Sequence, residues 1–347
     1  MYIKKILLTI VFIGLAVAAY FAYFVYNTMF VPNTAFNNDT AYVYIKSTDT
    51  YNNVRQQLIP LLKNIDRFDA LAKRKKYVNN VKAGRYAIKK GMNNNDIINT
   101  IRSKNLPVKL SFNNQETLEK LAGRVASQIE ADSISLINAM KDEAFLTENS
   151  FKDETALGMY IPNSYEFFWN TSAEKFTKRM LKEYKRFWNA AREAKAKALG
   201  LSQHEVIALA SIVQKETAKV DERPRVAGVY VNRLKRRMPL QADPTVIYAI
   251  KKKSGNFEQV IKRVLYKDLE IDSPYNTYKY AGLPPGLITM PDVSSIDAVL
   301  NYEKHNYYYF VVNVENFGYH KFAKTLAQHN RNRQEYIRWI NSKGIRR

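Results

Sequence analysis

In the stretch "ALASIVQKETAKVDERPRVAGVYVNRL" one carboxylate interrupts a hydrophobic face. Glu216 follows Val213 by three residues, Ile212 by four and Leu209 by seven. At 3.6 residues per turn these four share one helical stripe, from which Gln214 and Lys215 diverge. The spacing leaves two readings open. Either Glu216 is an ordinary surface glutamate, or its carboxyl is held against apolar groups. In the second case desolvation disfavours the charged form, raises the pKa and yields a general acid usable near neutral pH. Few other groups compete for chemistry. The 347 residues contain no cysteine, which removes thiolates and disulfides, and only four histidines. His320 and His329, nine residues apart across an expected strand-to-helix change, make a poor metal pair and read as groove residues or structural hydrogen-bonders. No metal or other cofactor is expected.

The elements that must position these groups are mainly helical. Ser202 is placed to cap the helix that carries Glu216, and Arg223 with Pro224 opens the next one. Asp243 as cap and Pro244 in the first turn open a third. Earlier, Leu118, Leu121, Val125 and Ile129 form one helical face, and helices return over residues 173–199, ending at Gly200. Residues 156–172, with Pro162 and the aromatics Tyr160, Tyr165, Phe167, Phe168 and Trp169, read as a loop or short strand; such rings stack on sugars or fill a core. Residues 276–291 must be irregular, with Gly282, Pro284, Pro285 and Gly286 shaping the loop. The C-terminal region predicts two strands joined near residues 316–318, then a basic helix.

Upstream lies a smaller α/β module over residues 41–112. A strand at 41–47 is followed by a helix with Thr48 as cap and Val54, Leu58, Leu61 and Leu62 as its stripe. A second strand at 85–88, a helix carrying Ile97, Ile98 and Ile101, and a third strand at 106–112 complete it. Its surface is basic, with Lys73, Arg74, Lys75, Lys76, Lys82, Lys89 and Lys90.

The N-terminus constrains location. Lys4 and Lys5 precede an apolar run over residues 6–26 with no further charge until Asp39. About 20 such residues span a bilayer, and Tyr20, Tyr23 and Tyr26 resemble an interfacial belt. A cleaved signal peptide would have a shorter apolar core followed by a small-residue site, whereas bulky aromatics follow "AVA" here. We therefore expect an uncleaved single-pass anchor in the cytoplasmic (inner) membrane. Residues 1–5 would be the cytoplasmic tail, residues 27–40 a polar tether, and the remainder extracytoplasmic. The net charge of +22 suits a polyanion. Outside the cytoplasm that points to anionic lipid or an acidic wall polymer rather than nucleic acid.

The segments "ASIVQKETAKVDERPRVAGVYVNRLKRRMPLQADPTVIYA", "SPYNTYKYAGLPPGLITMP" and "YYFVVNVENFGYHKFAKTLAQHN" together resemble the signature of the endolytic murein transglycosylase family, the MltG/YceG-like proteins. The segment "KAGRYAIKKGM" is similar to that family's LysM-like subdomain. The resemblance runs from about residue 41 to the C-terminus. It implies an α+β protein with a transmembrane helix at 6–26, a LysM-like subdomain at 41–112 and a catalytic domain at 113–347, the latter mainly helical with a C-terminal β-hairpin and helix. It further implies a lyase that cuts the bond between N-acetylmuramic acid and N-acetylglucosamine within nascent glycan strands, leaving 1,6-anhydro ends and limiting strand length. Glu216 would be its catalytic residue. Relatives often carry a second glutamate at the position of Gln214, which cannot exchange protons. Gln241, Asp243, Thr245, Asn276 and Tyr278 match family motifs and would line the groove, with His320 and His329 as further polar groove residues. The implied partners are glycan strands and the penicillin-binding synthases of the growth machinery. Two other readings stand beside this one. The first is a non-catalytic glycan-binding scaffold. The second is a hydrolase, which would need a second carboxylate, with Asp243 or Glu222 as candidates.

Overall fold

Alternation of inward and outward side chains builds the first sheet. In β1 (Thr40–Ile45), Val43 and Ile45 are buried while Tyr42 and Tyr44 face out. After α2 (Tyr51–Leu58) and α3 (Ile65–Arg74), β2 (Gly84–Lys89) returns antiparallel to β1, with Thr40 opposite Lys89 and Ile45 opposite Gly84. Tyr86 and Ile88 join Val54, Leu58, Phe68 and Leu71 in one core with Ile97, Ile98 and Ile101 of α4 (Asn94–Ser103). The cap of α2 is Thr50 rather than the expected Thr48; the Asn53 side chain accepts from both its N–H and its hydroxyl.

The computed structural model describes residues 2–343. Met1 of the expected cytoplasmic tail and residues 344–347 of the expected catalytic domain lie outside the described residues. The rest divides into two compact units. The first takes in residues up to 110 with two excursions, 128–131 and 165–172. These are held by Glu130, which accepts from Ser47, by Trp169 edge-on to Tyr44 at 5.1 Å, and by Asn170, which accepts from Asn105. β3 (Pro107–Phe112) pairs with β4 (Asn163–Phe168).

The apolar N-terminal segment forms α1 (Tyr2–Met29), exposed along nearly its whole length and long and apolar enough to cross a bilayer. A helix of this kind suits a single-pass anchor or a signal sequence. Residues 27–40, expected as a tether, are tied down. The Asn33 amide donates to Asn64 O at 2.8 Å and to Asn94 Oδ1 at 2.7 Å, and the Asn94 amide donates to Thr28 O at 2.8 Å. Polarity marked this segment as a linker; burial of those same amides makes it part of the first unit.

The second unit opens with α5 (Leu118–Ala126), α6 (Ser133–Met140), α7 (Glu143–Glu148) and α8 (Asp153–Ala156). Then α9 (Ala173–Phe187) and α10 (Ala190–Leu199) divide residues 173–199 at Asn189, whose side chain caps α10. At its centre is α11 (Gln203–Glu216), buried without interruption from Val206 to Val213. It packs on α12 (Arg223–Lys235), α13 (Asp243–Ser254) and α14 (Val293–Leu300). Ser202 caps α11 reciprocally with Glu205. The loop between α13 and α14 includes residues 276–291, and at Gly286 a Cβ would meet the Glu154 carbonyl oxygen at 2.0 Å. β5 (Tyr309–Val312) and β6 (His320–Ala323) form an antiparallel hairpin on which α15 (Leu326–Ser342) packs. Of the aromatic group, Tyr160 and Phe167 are core residues while Phe168 is half exposed.

Candidate active site

Helix α11 ends at Glu216 because Thr217 adopts an extended conformation and its N–H closes back on Val213 O. The side chain of Glu216 therefore emerges from a buried helix terminus, over the fully buried Ile212 and Val213. The residue keeps some solvent contact, but its carboxyl is enclosed by protein. That enclosure is the main cause of a pKa pushed up to about 7, with the negative charge of Asp243 acting in the same sense. A hydrogen bond from Tyr230 Oη to Glu216 Oε1 at 2.8 Å, with His320 and Arg233 nearby, opposes the rise without cancelling it.

Glu216 opens into a cleft of ≈ 340 Å³ lined also by Tyr230, Arg233, Leu240, Gln241, Asp243, Tyr278, Phe310 and His329. Gln241, in left-handed backbone conformation at φ +50°, is held by its N–H to Thr277 O at 3.0 Å. Asp243 is the first residue of α13 rather than its cap, which is Ala242. Its Oδ1 accepts from Tyr278 Oη at 2.5 Å, so its carboxylate serves the cleft instead of the helix end. Burial, followed by this bond to Asp243, raises the pKa of Tyr278. The His329 ring stacks on Tyr309 at 5.3 Å with Nδ1 unbonded, and burial lowers its pKa.

Three residues expected in the groove lie beneath or beside it. Thr245 is fully buried; its hydroxyl bonds to Ala242 O at 2.7 Å and to Thr277 Oγ1 at 2.8 Å, pinning the loop that presents Gln241. Asn276, also fully buried, donates to Leu269 O and Ile271 O and accepts from the N–H of Tyr278, which fixes the strand of loop bearing that tyrosine. Both side chains have their hydrogen bonds satisfied inside the fold, so neither lines the cleft. His320 is paired with Glu222, Nδ1 to Oε2 at 2.8 Å, while its N–H donates to Oε1 at 2.6 Å. Burial pushes Glu222 up, but these bonds and the imidazole hold its pKa below the usual value. Glu222 is thereby engaged as the hydrogen-bond partner of His320 and is not among the residues that line the cleft.

Tyr230 and Arg233 were missed by sequence reasoning. Both lie on α12, at four and seven residues from Val226, so a cation falls on an apolar stripe just as Glu216 does. That repeated anomaly was the available signal. Gln214 points away from the cleft: it accepts from Ser295 Oγ at 2.6 Å and donates to Asp292 Oδ2 at 3.0 Å. A larger cleft of ≈ 720 Å³ passes Lys215, Pro244 and Tyr248. Its two carboxylates, Glu116 and Glu258, are ion-paired with lysines, which leaves no free acid there to move a proton.

The YceG-like family model matches residues 43–335. Over 278 residues the chain is 34% identical to the endolytic murein transglycosylase of Bacillus subtilis, covering 75% of this chain and 74% of that one. It is 30% identical over 302 residues to the endolytic murein transglycosylase of Streptococcus pneumoniae, covering 78% of this chain and 53% of the relative, so it spans about half of that protein's length. A solved structure of a YceG-like protein from Listeria monocytogenes superposes with a TM-score of 0.56 at 30% identity, covering 85% of this chain and 99% of that one.

Proposed function

The chain belongs to the YceG-like family, and from that premise we propose that it is a membrane-anchored peptidoglycan lytic transglycosylase with Glu216 as acid and then base. The observation that carries the reading is one carboxyl, Glu216, that lines a cleft, is enclosed so that its pKa is pushed up to about 7, and is hydrogen-bonded by Tyr230. Protonated Glu216 donates to the bridging oxygen between N-acetylmuramic acid and N-acetylglucosamine, and the C1–O bond breaks. The substrate's own N-acetyl group stabilises the positive centre at C1. The Glu216 carboxylate then takes the proton of the muramoyl C6 hydroxyl, whose oxygen bonds to C1 as the 1,6-anhydro ring closes. No water is consumed, so one residue with a pKa near the working pH serves both steps. The relatives named endolytic murein transglycosylase support the substrate.

The finer parts of this reading are also proposals. The anchor sits in the cytoplasmic membrane with the N-terminus inside, by the placement of Lys4 and Lys5. The first unit, whose β1 and β2 pair around α2 and α3, acts as a LysM-like glycan-binding module. The enzyme cuts nascent strands beside the synthases that make them and so limits their length. A hydrolytic variant of the reaction has one observation in its favour, because Asp243 shares the cleft with Glu216 and is a second carboxylate able to orient water.

Full-length protein in detergent, incubated with purified peptidoglycan, separates these outcomes by product mass. Anhydro-muramoyl ends from the wild type and none from Glu216→Gln are expected. Reducing ends that have gained water would replace the lyase with the hydrolase, and no cleavage by either protein would leave a glycan-binding scaffold.

A further inference from the structure

Arg233 is buried to 7% exposure, yet among the described residues no carboxylate pairs with it. Its Nε donates to Tyr308 O at 2.6 Å, and its Nη1 donates to Leu240 O at 2.8 Å, Pro239 O at 3.3 Å and Gln241 Oε1 at 3.4 Å. All four acceptors are neutral, and Nη2 has no hydrogen-bond partner among the described residues. Elsewhere the same unit pairs its buried guanidinium: Arg223, at 3% exposure, meets Asp292 and Ser294. A buried cation without a counter-charge is costly unless a ligand supplies one. The neutral bonds occupy Nε and Nη1, the face of the guanidinium lies over the Tyr309 ring at 5.3 Å, and Nη2 is left unbonded in a residue that lines the cleft holding Glu216. The N–H groups of Nη2 suit a carboxylate, which a guanidinium binds through charge-assisted hydrogen bonds.

Of the acids in the cleft, Glu216 attracts Arg233 from a distance, but neither it nor Asp243 pairs with the guanidinium. Glu216 is engaged by Tyr230 and Asp243 by Tyr278. If the substrate is a peptidoglycan strand, as the proposed function holds, the muramoyl residue brings its own acid. Its C3 lactyl group ends in a carboxylate when the stem peptide is absent, and in an amide leading to the stem peptide's carboxylates when it is present. We propose that the unbonded Nη2 of Arg233 binds a carboxylate carried on the C3 substituent of the muramoyl residue being cut, so that the cleft selects strands by the charge of that substituent.

Full-length wild type in detergent would be assayed on four preparations of the same uncrosslinked strands. These are peptide-free strands with free lactyl carboxylates, peptide-free strands with the lactyl carboxyl converted to methylamide, strands with intact stem peptides, and strands whose stem-peptide carboxylates are methylamides. A charge-assisted hydrogen bond predicts a fall in kcat/KM of roughly 10- to 100-fold when the recognised carboxylate is blocked. A fall in the first pair identifies the lactyl group, and a fall in the second identifies the stem peptide. The preference should vanish in Arg233→Gln and shrink in Arg233→Lys. The comparison of substrates needs only the wild type, so it stands even if Arg233→Gln, which also loses the clamp on Tyr308 and Leu240, fails to fold. Equal cleavage of all four preparations, or a preference that survives in Arg233→Gln, overturns the inference while leaving the transglycosylase reading intact. No cleavage of any strand overturns both.

Discussion

Tyr230 decides how far the carboxyl of Glu216 departs from an ordinary glutamate. Enclosure raises the pKa to about 7, and the hydroxyl, by donating to the charged form, holds it there rather than higher. In the proposed mechanism the acid step needs the protonated carboxyl, so activity should fall as pH rises through about 7. Tyr230→Phe removes a donor to the carboxylate, so its alkaline limb should lie at higher pH than that of the wild type; a limb that moves to lower pH contradicts this account. Stability is linked with the same sign. A carboxyl whose pKa is raised from 4.5 to about 7 favours the folded state below pH 4.5, and that contribution is lost as pH rises through 7. Glu216→Gln should therefore be more stable than the wild type at pH 8, by on the order of 2 kcal/mol after allowing for residual solvent contact, and the gap should close at pH 4. Urea unfolding at the two pH values measures it. Both Glu216 and Arg233 announce themselves in the sequence as charges on apolar stripes. What the stripes do not reveal is that α11 and α12 turn those charges into one cleft.

At the scale of elements, the joint between α11 and α14 rests on Gln214. Its amide accepts from Ser295 and donates to Asp292, which also receives Arg223 at 3.4 Å. Gln214→Glu would set a second carboxylate about 3 Å from Asp292. We expect a loss of roughly 1–3 kcal/mol at neutral pH, partly recovered as the pH falls, with cleavage retained because the side chain faces away from the cleft. Thermal unfolding together with product analysis tests both halves. In the first unit, the Asn33 amide donates to Asn94, whose own amide donates to Thr28 O at the end of α1. Asn94→Ala leaves buried partners unsatisfied and should cost about 1–3 kcal/mol, seen as faster proteolysis of residues 27–40. The helices themselves were legible from their stripes, and one cap, Ser202, with them; the caps expected at Thr48 and Asp243 lie at Thr50 and Ala242. The tether was not, because asparagine serves a solvated linker and a buried network equally well.

For the whole molecule, the proposed location and partner rest on α1 and on the charge of +22. Truncation before Asn27 should move the protein from the membrane fraction to the soluble one while sparing the bond between Thr28 O and Asn94. Cosedimentation with peptidoglycan should weaken between 0.1 M and 1 M salt, as the screening length drops from about 10 Å to about 3 Å; binding indifferent to salt would remove charge as the attraction. The sequence by itself determined the apolar helix, the helical stripes and the position of Glu216 on one of them. Each of these follows from local periodicity, which the chain carries along its length. Only the tertiary structure decided which polar residues share the cleft. Thr245 and Asn276 match motifs as closely as Gln241 and Tyr278 do, yet they are spent on backbone carbonyls and a neighbouring hydroxyl. Arg233 enters the site because α12 lies against α11 and a loop offers its carbonyls. Whether a polar group is satisfied from within or left open for substrate depends on partners distant in sequence, and spacing along one chain does not encode them.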